Sequence, residues 1–137
     1  GERFDHLFNL QPSSPLRTSE DIVDAFRTLV DSGRDYLVSV TLTDPHFFHW
    51  GMVADTGTWR MYFRDKYLME RPQLPPVFRP NGAIKLAKAA AVRSTGNFFG
   101  EPLAVHEMPE ERSIHVATEF DLRCARAMIR EVDDARS

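Results

Sequence analysis

The sequence predicts an α/β fold, because two apolar runs are separated by a stretch with helical spacing. Residues 4–10 have the apolar character of a short buried strand, and residues 36–42 form a nearly continuous, β-branched run. Such a run is typical of a strand that is covered on both faces and therefore lies in a parallel sheet. Strand, helix and strand in this order predict one right-handed βαβ unit.

The helix between the two strands is predicted over residues 18–33. Thr18 or Ser19 can cap its N-terminus, and the acidic residues that follow, such as Asp21, suit the positive end of the helix dipole. Gly33 is predicted to end the helix, since glycine readily takes the left-handed conformation found there. Apolar side chains at helical spacing predict the face that packs on the sheet: Ile22, Phe26, Leu29 and Val30.

Composition restricts the classes of function. A chain of 137 residues predicts one domain, and 42% hydrophobic residues are enough for a single core. The net charge of −3, without a basic block, argues against binding to nucleic acid or to an anionic membrane. No apolar run approaches the roughly 18 residues of a transmembrane helix. The lone cysteine, Cys124, excludes an intrachain disulfide and fits a reducing, cytoplasmic setting.

A proline-rich segment occupies the middle of the chain. Four prolines fall between residues 72 and 80, which predicts a stiff extended loop rather than a helix or a central strand. Asn81-Gly82 predicts a turn, because both residues tolerate positive φ. Arg71 and Arg79 would be held at a fixed separation, as a carboxylate or phosphate site requires. The alternative is a structural turn with solvated arginines.

A β-ribbon is predicted within residues 50–70. Asp55-Thr56-Gly57 supplies its turn, and the residues that follow alternate between two faces: Trp59, Met61 and Phe63 on one, Arg60, Tyr62 and Arg64 on the other. An aromatic, arginine-rich surface of this kind fits a protein interface.

The second half of the chain contains the remaining predicted elements. In order, they are a strand at 83–86, a helix at 87–93 that Gly96 terminates, a strand at 102–108, a strand at 113–117 and a final helix capped by Thr118, with Asp121 at the capping-box position. The final helix contains Cys124, which is interpreted as a small packing residue.

Three stretches resemble motifs of the acylneuraminate cytidylyltransferases, also called CMP-sialic acid synthetases. FRPNGA at 78–83, after RPQLPP at 71–76, resembles the sugar-acid-binding loop. LQPSSPLRT at 10–18 is similar to LQPTSPLRT, and ERSIHVATEFDL at 111–122 is similar to the C-terminal SIDIDTExDL segment. The resemblance implies a three-layer, Rossmann-like nucleotide-diphospho-sugar transferase fold with a mixed, mostly parallel sheet and a protruding β-ribbon. It covers nearly all residues, but only the C-terminal part of a family member.

The resemblance also implies a reaction and a set of contacts. CMP would pass from CTP to a nine-carbon keto-acid sugar such as sialic acid, in a cytoplasmic homodimer whose β-ribbon reaches the second subunit. The implied substrate-binding residues are Gln11, His49, Arg71, Arg79, Asn81, Phe98 and Phe99. Gln11 would bridge to the nucleotide side, and Arg71 would pair with the carboxylate, while His49 stands where some relatives have lysine. Arg79 and Asn81 would hold the loop and the sugar hydroxyls, and the two phenylalanines would line the N-acyl pocket.

From spacing alone, simpler interpretations of these residues stay open. Gln11 can be a loop glutamine bonded to backbone, and His49 can be a loop histidine packed by neighbouring aromatic side chains. Phe98 and Phe99 can be two core residues.

Two features depart from the family pattern. The family ligates a divalent ion, usually Mg²⁺, with carboxylates spaced i, i+2 on the last strand, where both face the same side. This chain has His115 and Ala117 there, so that metal site does not transfer, and Glu119 and Asp121 are explained by helix capping. The family's CTP-binding loop also has no counterpart among these residues.

The departures leave two main hypotheses. In the first, residues 1–137 are a single cytidylyltransferase-like domain that lacks the N-terminal nucleotide-binding segment and provides the sugar-acid half of an enzyme. In the second, the chain is a non-catalytic sugar-acid-binding or dimerisation module. A nucleotidyltransferase with a different sugar is a third alternative.

Overall fold

The fold is mixed α/β, as the sequence predicts. The structure is a computed structural model, and it describes residues 3–44, 46 and 49–134, with side chains as far as Glu131. The strands are β1 (His6–Asn9), β2 (Tyr36–Thr43), β3 (Met52–Asp55), β4 (Thr58–Met61), β5 (Val77–Lys88) and β6 (Leu103–Glu107). The helices are α1 (Ser19–Ser32), α2 (Ala89–Thr95) and α3 (Glu119–Asp134), with short 3₁₀ helices at Arg71–Gln73 and Glu110–Arg112.

The chain divides into two compact units. One, which we call the sheet unit, consists of Gly1–Thr41 with Pro80–Ser137, and the other, the ribbon unit, of Leu42–Arg79. No helix among the residues that the structure describes combines the length and apolar character needed to cross a membrane.

The main sheet has four strands in the order β1-β5-β2-β6. β2 is parallel to β6, with Tyr36 opposite Leu103, which agrees with the prediction from its apolar run. β1 is antiparallel to β5, with His6 opposite Lys88, so the sheet is mixed. Residues 36–41 of β2 are all buried, because this strand has neighbours on both sides and is covered on both faces.

Helix α1 packs against β6 and closes one side of the core. Thr18 caps it in a capping box with Asp21, and Gly33 ends it with φ of 66°, both as predicted. Val30 is 52% exposed and does not belong to the packed face. The core consists of Ala25, Leu29, Leu37, Ala83, Ile84, Leu86, Ala104 and Met108.

The proline-rich segment corrects one prediction. Residues 71–76 stay outside the sheet, but β5 begins at Val77 and continues through Pro80 and Asn81-Gly82, which were expected to form a loop and a turn. The Asn81 side chain explains the difference, since its Oδ1 accepts a bond from the Ala83 N–H within the strand. Gly82 does adopt positive φ, 76°, but inside the strand rather than at a chain reversal.

A second correction concerns residues 113–117. They were expected to form the last strand, but they have no regular secondary structure. The Val116 N–H donates to the Ser13 carbonyl at 2.7 Å. One backbone bond to a loop does not make a strand ladder, which needs a neighbouring extended chain.

The ribbon unit contains the β3–β4 hairpin. The strands are antiparallel, with Met52 opposite Met61, and Gly57 in the turn has φ of 75°. The predicted ribbon therefore forms over residues 52–61, whereas residues 62–69 are turns and bends. The hairpin exposes large apolar side chains, among them Met52 and Trp59.

Candidate functional site

Gly82 lies where three polar side chains converge in the sheet unit. A Cβ atom at this position would lie 3.1 Å from Gln11 Oε1, 3.1 Å from His115 Nδ1 and 3.5 Å from Ser14 Oγ. The missing side chain therefore lets the loop after β1 and the segment before α3 approach the same point on β5. We call Gln11, Ser13, Ser14, Gly82 and His115 the Gly82 junction.

The Gln11 loop is held to β5 by Arg17. Its Nη1 donates to the carbonyl oxygens of Gln11 at 2.7 Å, Ser14 at 3.0 Å and Ala83 at 3.2 Å. A guanidinium group suits this task because its planar donors are fixed in direction. Arg17 lies within the LQPSSPLRT motif, but the motif alone predicts no role for it.

Asn81 occupies the buried base of the junction and is only 2% exposed. Its Oδ1 accepts hydrogen bonds from the Ser39 hydroxyl and the Ala83 N–H, and its Nδ2 donates to Ser113 Oγ at 2.9 Å. The amide thus joins β2, β5 and the segment before α3, which suits the expectation that Asn81 holds the loop. Its expected contact with a sugar hydroxyl stays a prediction.

His115 is an exposed residue that connects two segments. Its Nδ1 is 3.3 Å from Ser13 Oγ and 3.4 Å from Ser14 Oγ, both within hydrogen-bonding distance. The backbone bond between Val116 and Ser13 supports the same connection. The sequence predicts no role for His115, which stands where typical family members have a carboxylate.

The donors near His115 do not fit Mg²⁺, which requires several oxygen ligands. Ala117 offers none, and no group of three or more His, Cys, Asp or Glu residues in the described part of the chain could hold a metal ion. The Asp121 carboxylate caps α3, as predicted, through the Thr118 hydroxyl at 2.8 Å and the N–H groups of Ala117 and Thr118. The bond from the Thr118 hydroxyl, followed by those from the two N–H groups, lowers the pKa of Asp121.

Phe98 and Phe99 follow α2, which ends at Gly96. Phe98 is half-buried, Phe99 is 46% exposed, and the Phe99 N–H donates to Asn97 Oδ1 at 3.2 Å. The two side chains are therefore not fully used by the core, and they leave apolar surface available.

The other three expected contacts belong to the ribbon unit. His49 is 6% exposed and meets the Phe63 ring edge-on at 5.4 Å, the aromatic packing considered as its simpler interpretation. Arg71 and Arg79 are exposed, and Arg71 Nη2 pairs with Asp44 Oδ2 at 3.1 Å. Pro45, Phe47 and Phe48, from the same loop as His49, lie outside the described residues.

Comparison with known proteins shows a similarity to a curated protein over most of the chain. The chain is 26% identical over 130 residues to post-translational flagellin modification protein B of Campylobacter coli. The match covers 94% of this chain and 54% of that protein, so the chain spans about half the length of this curated relative. No family model matches the sequence. The similarity therefore concerns a protein named for modifying flagellin, and the finer assignment to CMP transfer rests on the three sequence motifs.

The Gly82 junction offers hydrogen-bonding groups rather than a reactive centre. The Gln11 amide, the Ser13 hydroxyl and the His115 imidazole can each donate or accept, which suits a ligand rich in hydroxyl and carbonyl oxygens, whereas Ser14 is buried. Groups held by a rigid strand and a clamped loop keep their directions, and this fixes the orientation of a polar ligand.

Proposed function

We propose that this chain forms the sugar-acid-binding part of an enzyme of the CMP-sialic acid synthetase type, which transfers CMP from CTP to a nine-carbon keto-acid sugar. The observation that carries the proposal is the meeting of Gln11 with Gly82 of the FRPNGA motif, since both belong to motifs that resemble the family's substrate loops. The similarity to a flagellin modification protein supports the broader idea of a role in sugar-related biosynthesis.

Each proposed contact suits a different chemical group of the sugar acid. The Gln11 amide would meet the polar face of the sugar acid, and Phe98 and Phe99 would supply an apolar wall for its N-acyl methyl. Arg71, Arg79 and His49 belong to the ribbon unit, and their contacts with the carboxylate and the rest of the ligand stay what the family resemblance implies. Because Arg71 already pairs with Asp44, the ligand carboxylate would have to share or replace that partner.

A second candidate is a non-catalytic sugar-acid-binding module. The observation that favours it is the pair His115 and Ala117, which replaces the metal-binding carboxylates of typical members. Both candidates predict sugar-acid binding by this chain, and they differ in whether the protein that contains it transfers CMP from CTP.

Isothermal titration calorimetry on the full chain tests the proposal, with N-acetylneuraminic acid and CTP as separate ligands, each with and without Mg²⁺. We expect Gln11→Ala to weaken binding of the sugar acid about three- to tenfold, as the loss of one hydrogen bond implies. Arg27→Ala is the control, because this exposed side chain on α1 pairs with Asp24 and lies outside the three motifs.

The outcomes separate the candidates. Absence of heat from the sugar acid in the unmodified chain contradicts both, and equal effects of Gln11→Ala and Arg27→Ala contradict the assignment of Gln11. Formation of the CMP-sugar from CTP and the sugar acid by the whole gene product favours the enzyme, whereas binding of the sugar acid without this reaction favours the non-catalytic module.

A further inference from the structure

We propose that His115 takes the structural place of a metal ion: its hydrogen bonds hold the Gln11 loop against the segment before α3, so that the Gly82 junction binds its ligand without a divalent cation. The identity of the ligand rests on the function proposed above, but the structural role of His115 does not. His115 is in this sense a positioning residue, which acts through Gln11.

The contacts of the Gly82 junction are the first support for this role of His115. The segment 113–117 has no strand ladder, and its connection to the loop consists of the Val116–Ser13 backbone bond and the two serine contacts of His115 Nδ1. Below them, Ser113 is fixed by the buried Asn81 amide. His115 is therefore the side chain that ties the exposed end of this segment to the loop.

The position of Gln11 beside His115 is the second support for this role. Gln11 Oε1 and His115 Nδ1 would both lie 3.1 Å from a Cβ atom on Gly82, so the two groups flank the same small space. The Gln11 carbonyl is clamped by Arg17, which fixes the backbone of the loop. Movement of the imidazole would release the serines and leave the Gln11 side chain without a fixed neighbour.

The chemistry of the donor groups around His115 is the third support for this role. An imidazole whose Nδ1 already lies against two hydroxyl groups is a poor ligand for Mg²⁺, which prefers oxygen. Ala117 adds no donor, and the Asp121 carboxylate is occupied by the cap of α3. A hydrogen-bonded link is the connection that these residues can make.

The first test needs no sugar ligand. We expect Mg²⁺ at millimolar concentration to leave the amide NMR resonances of residues 113–121 unchanged. We also expect His115→Ala to speed hydrogen exchange at the Val116 amide about three- to tenfold, since one hydrogen-bonded link is lost. Saturable shifts of these resonances with Mg²⁺, or unchanged exchange at Val116, would overturn the inference.

The second test uses the geometry of the ring. The amide nitrogen of asparagine can replace Nδ1, whereas that of glutamine corresponds to Nε2. We expect His115→Asn to retain slow exchange at Val116 and affinity for N-acetylneuraminic acid, and His115→Ala and His115→Gln to lose both. His6→Ala is the control, since His6 packs edge-on against Phe26.

The two proposals fail in different ways. If the sugar acid does not bind, but exchange at the Val116 amide is slow in His115→Asn and fast in His115→Gln and His115→Ala, the role of His115 stands and the proposed function is wrong. If asparagine does not restore slow exchange, or if the chelator EDTA abolishes binding of the sugar acid, the inference about His115 is wrong.

Discussion

Gly82 shows how one residue can be constrained both by its backbone and by its neighbours. Its φ of 76° is a conformation that L side chains rarely adopt, and the space beside its Cα is occupied by Gln11 and His115. Either constraint alone would favour glycine. Together they make the position sensitive to a single methyl group.

We therefore expect Gly82→Ala to lower the free energy of unfolding by about 1–3 kcal/mol, through backbone strain and displacement of the Gln11 side chain. Gly96→Ala is a suitable comparison, because Gly96 has a similar φ of 68° but nothing within 4 Å of a Cβ atom. Denaturant unfolding monitored by circular dichroism measures both variants. A cost for Gly82→Ala no larger than that for Gly96→Ala would show that the neighbours exert no steric constraint.

At the scale of elements, a buried carboxylate connects α1 to the 3₁₀ helix at Glu110–Arg112. Asp21 is 3% exposed, and Arg112 donates to it twice, from Nη2 at 2.8 Å and from Nε at 3.2 Å. Burial raises the pKa of Asp21, but the bonds from Arg112 and Thr18 outweigh it, so the pKa is lowered overall. The same residue completes the capping box of α1, and it therefore stabilises two elements at once.

Asp21→Asn is expected to cost about 1–2 kcal/mol of unfolding free energy at pH 7, a modest value because the Arg112 side chain is 41% exposed. The sign of the pH dependence follows from the lowered pKa. The contribution is fully present above the ordinary pKa of about 3.9 and is lost as pH falls through the lower folded value. The variant should therefore lose less stability between pH 6 and pH 2 than the unmodified protein, as measured by thermal unfolding.

The comparison of Asp21→Asn with Asp24→Asn controls for net charge. Asp24 pairs with Arg27 at 3.1 Å on the exposed face of the same helix, and both partners are more than half exposed. Equal loss of stability in the two variants would contradict the role assigned to Asp21.

Local chemistry made α1 predictable from sequence, whereas β5 and the residues before α3 were not. The N-cap at Thr18 and the terminator Gly33 act within a few residues of the helix, so the sequence indicates them directly. β5 continues through Pro80 and Asn81, and the Asn81 side chain bonds the Ala83 N–H within the strand, a contact that the sequence does not reveal. Residues 113–117 have strand-like composition, but the described residues provide no strand beside them.

The candidate site was predictable to a different extent. The motifs indicated Gln11 and Asn81 as substrate-binding residues, which stays a prediction, and in the structure the Gln11 side chain lies beside Gly82, the residue after Asn81 in β5. The contacts of His115 and Arg17 were not predicted, because His115 meets a serine 102 positions away and Arg17 reaches the Ala83 carbonyl 66 positions away. Only folding shows which polar side chains share a partner.

For the whole molecule, the exposed apolar surface of the ribbon unit is the feature that bears on assembly. Met52, Trp59, Tyr62 and Leu68 are each at least 55% exposed. A two-stranded hairpin is only marginally stable alone, so contact with a second copy would protect these side chains from water. This supports the homodimer expected from the family resemblance, which remains a proposal.

Trp59→Ser combined with Leu68→Ser should shift a dimer toward monomer, because the buried apolar area would decrease. Sedimentation velocity over a range of concentrations measures the shift. Val30→Ser, at an exposed position on α1 in the sheet unit, is the control and should leave the distribution unchanged. A monomer in the unmodified protein, or equal effects of ribbon and control variants, would contradict the proposal.

The division into two units also determines what common spectroscopic signals report. Both tryptophans, Trp50 and Trp59, lie within Leu42–Arg79, whereas α1, α2 and α3 belong to the other unit. Intrinsic fluorescence therefore follows the environment of the hairpin, and ellipticity at 222 nm follows mainly the helices. If the two melting curves fail to coincide, the protein unfolds in more than one step, and a single melting temperature would describe only one part of it.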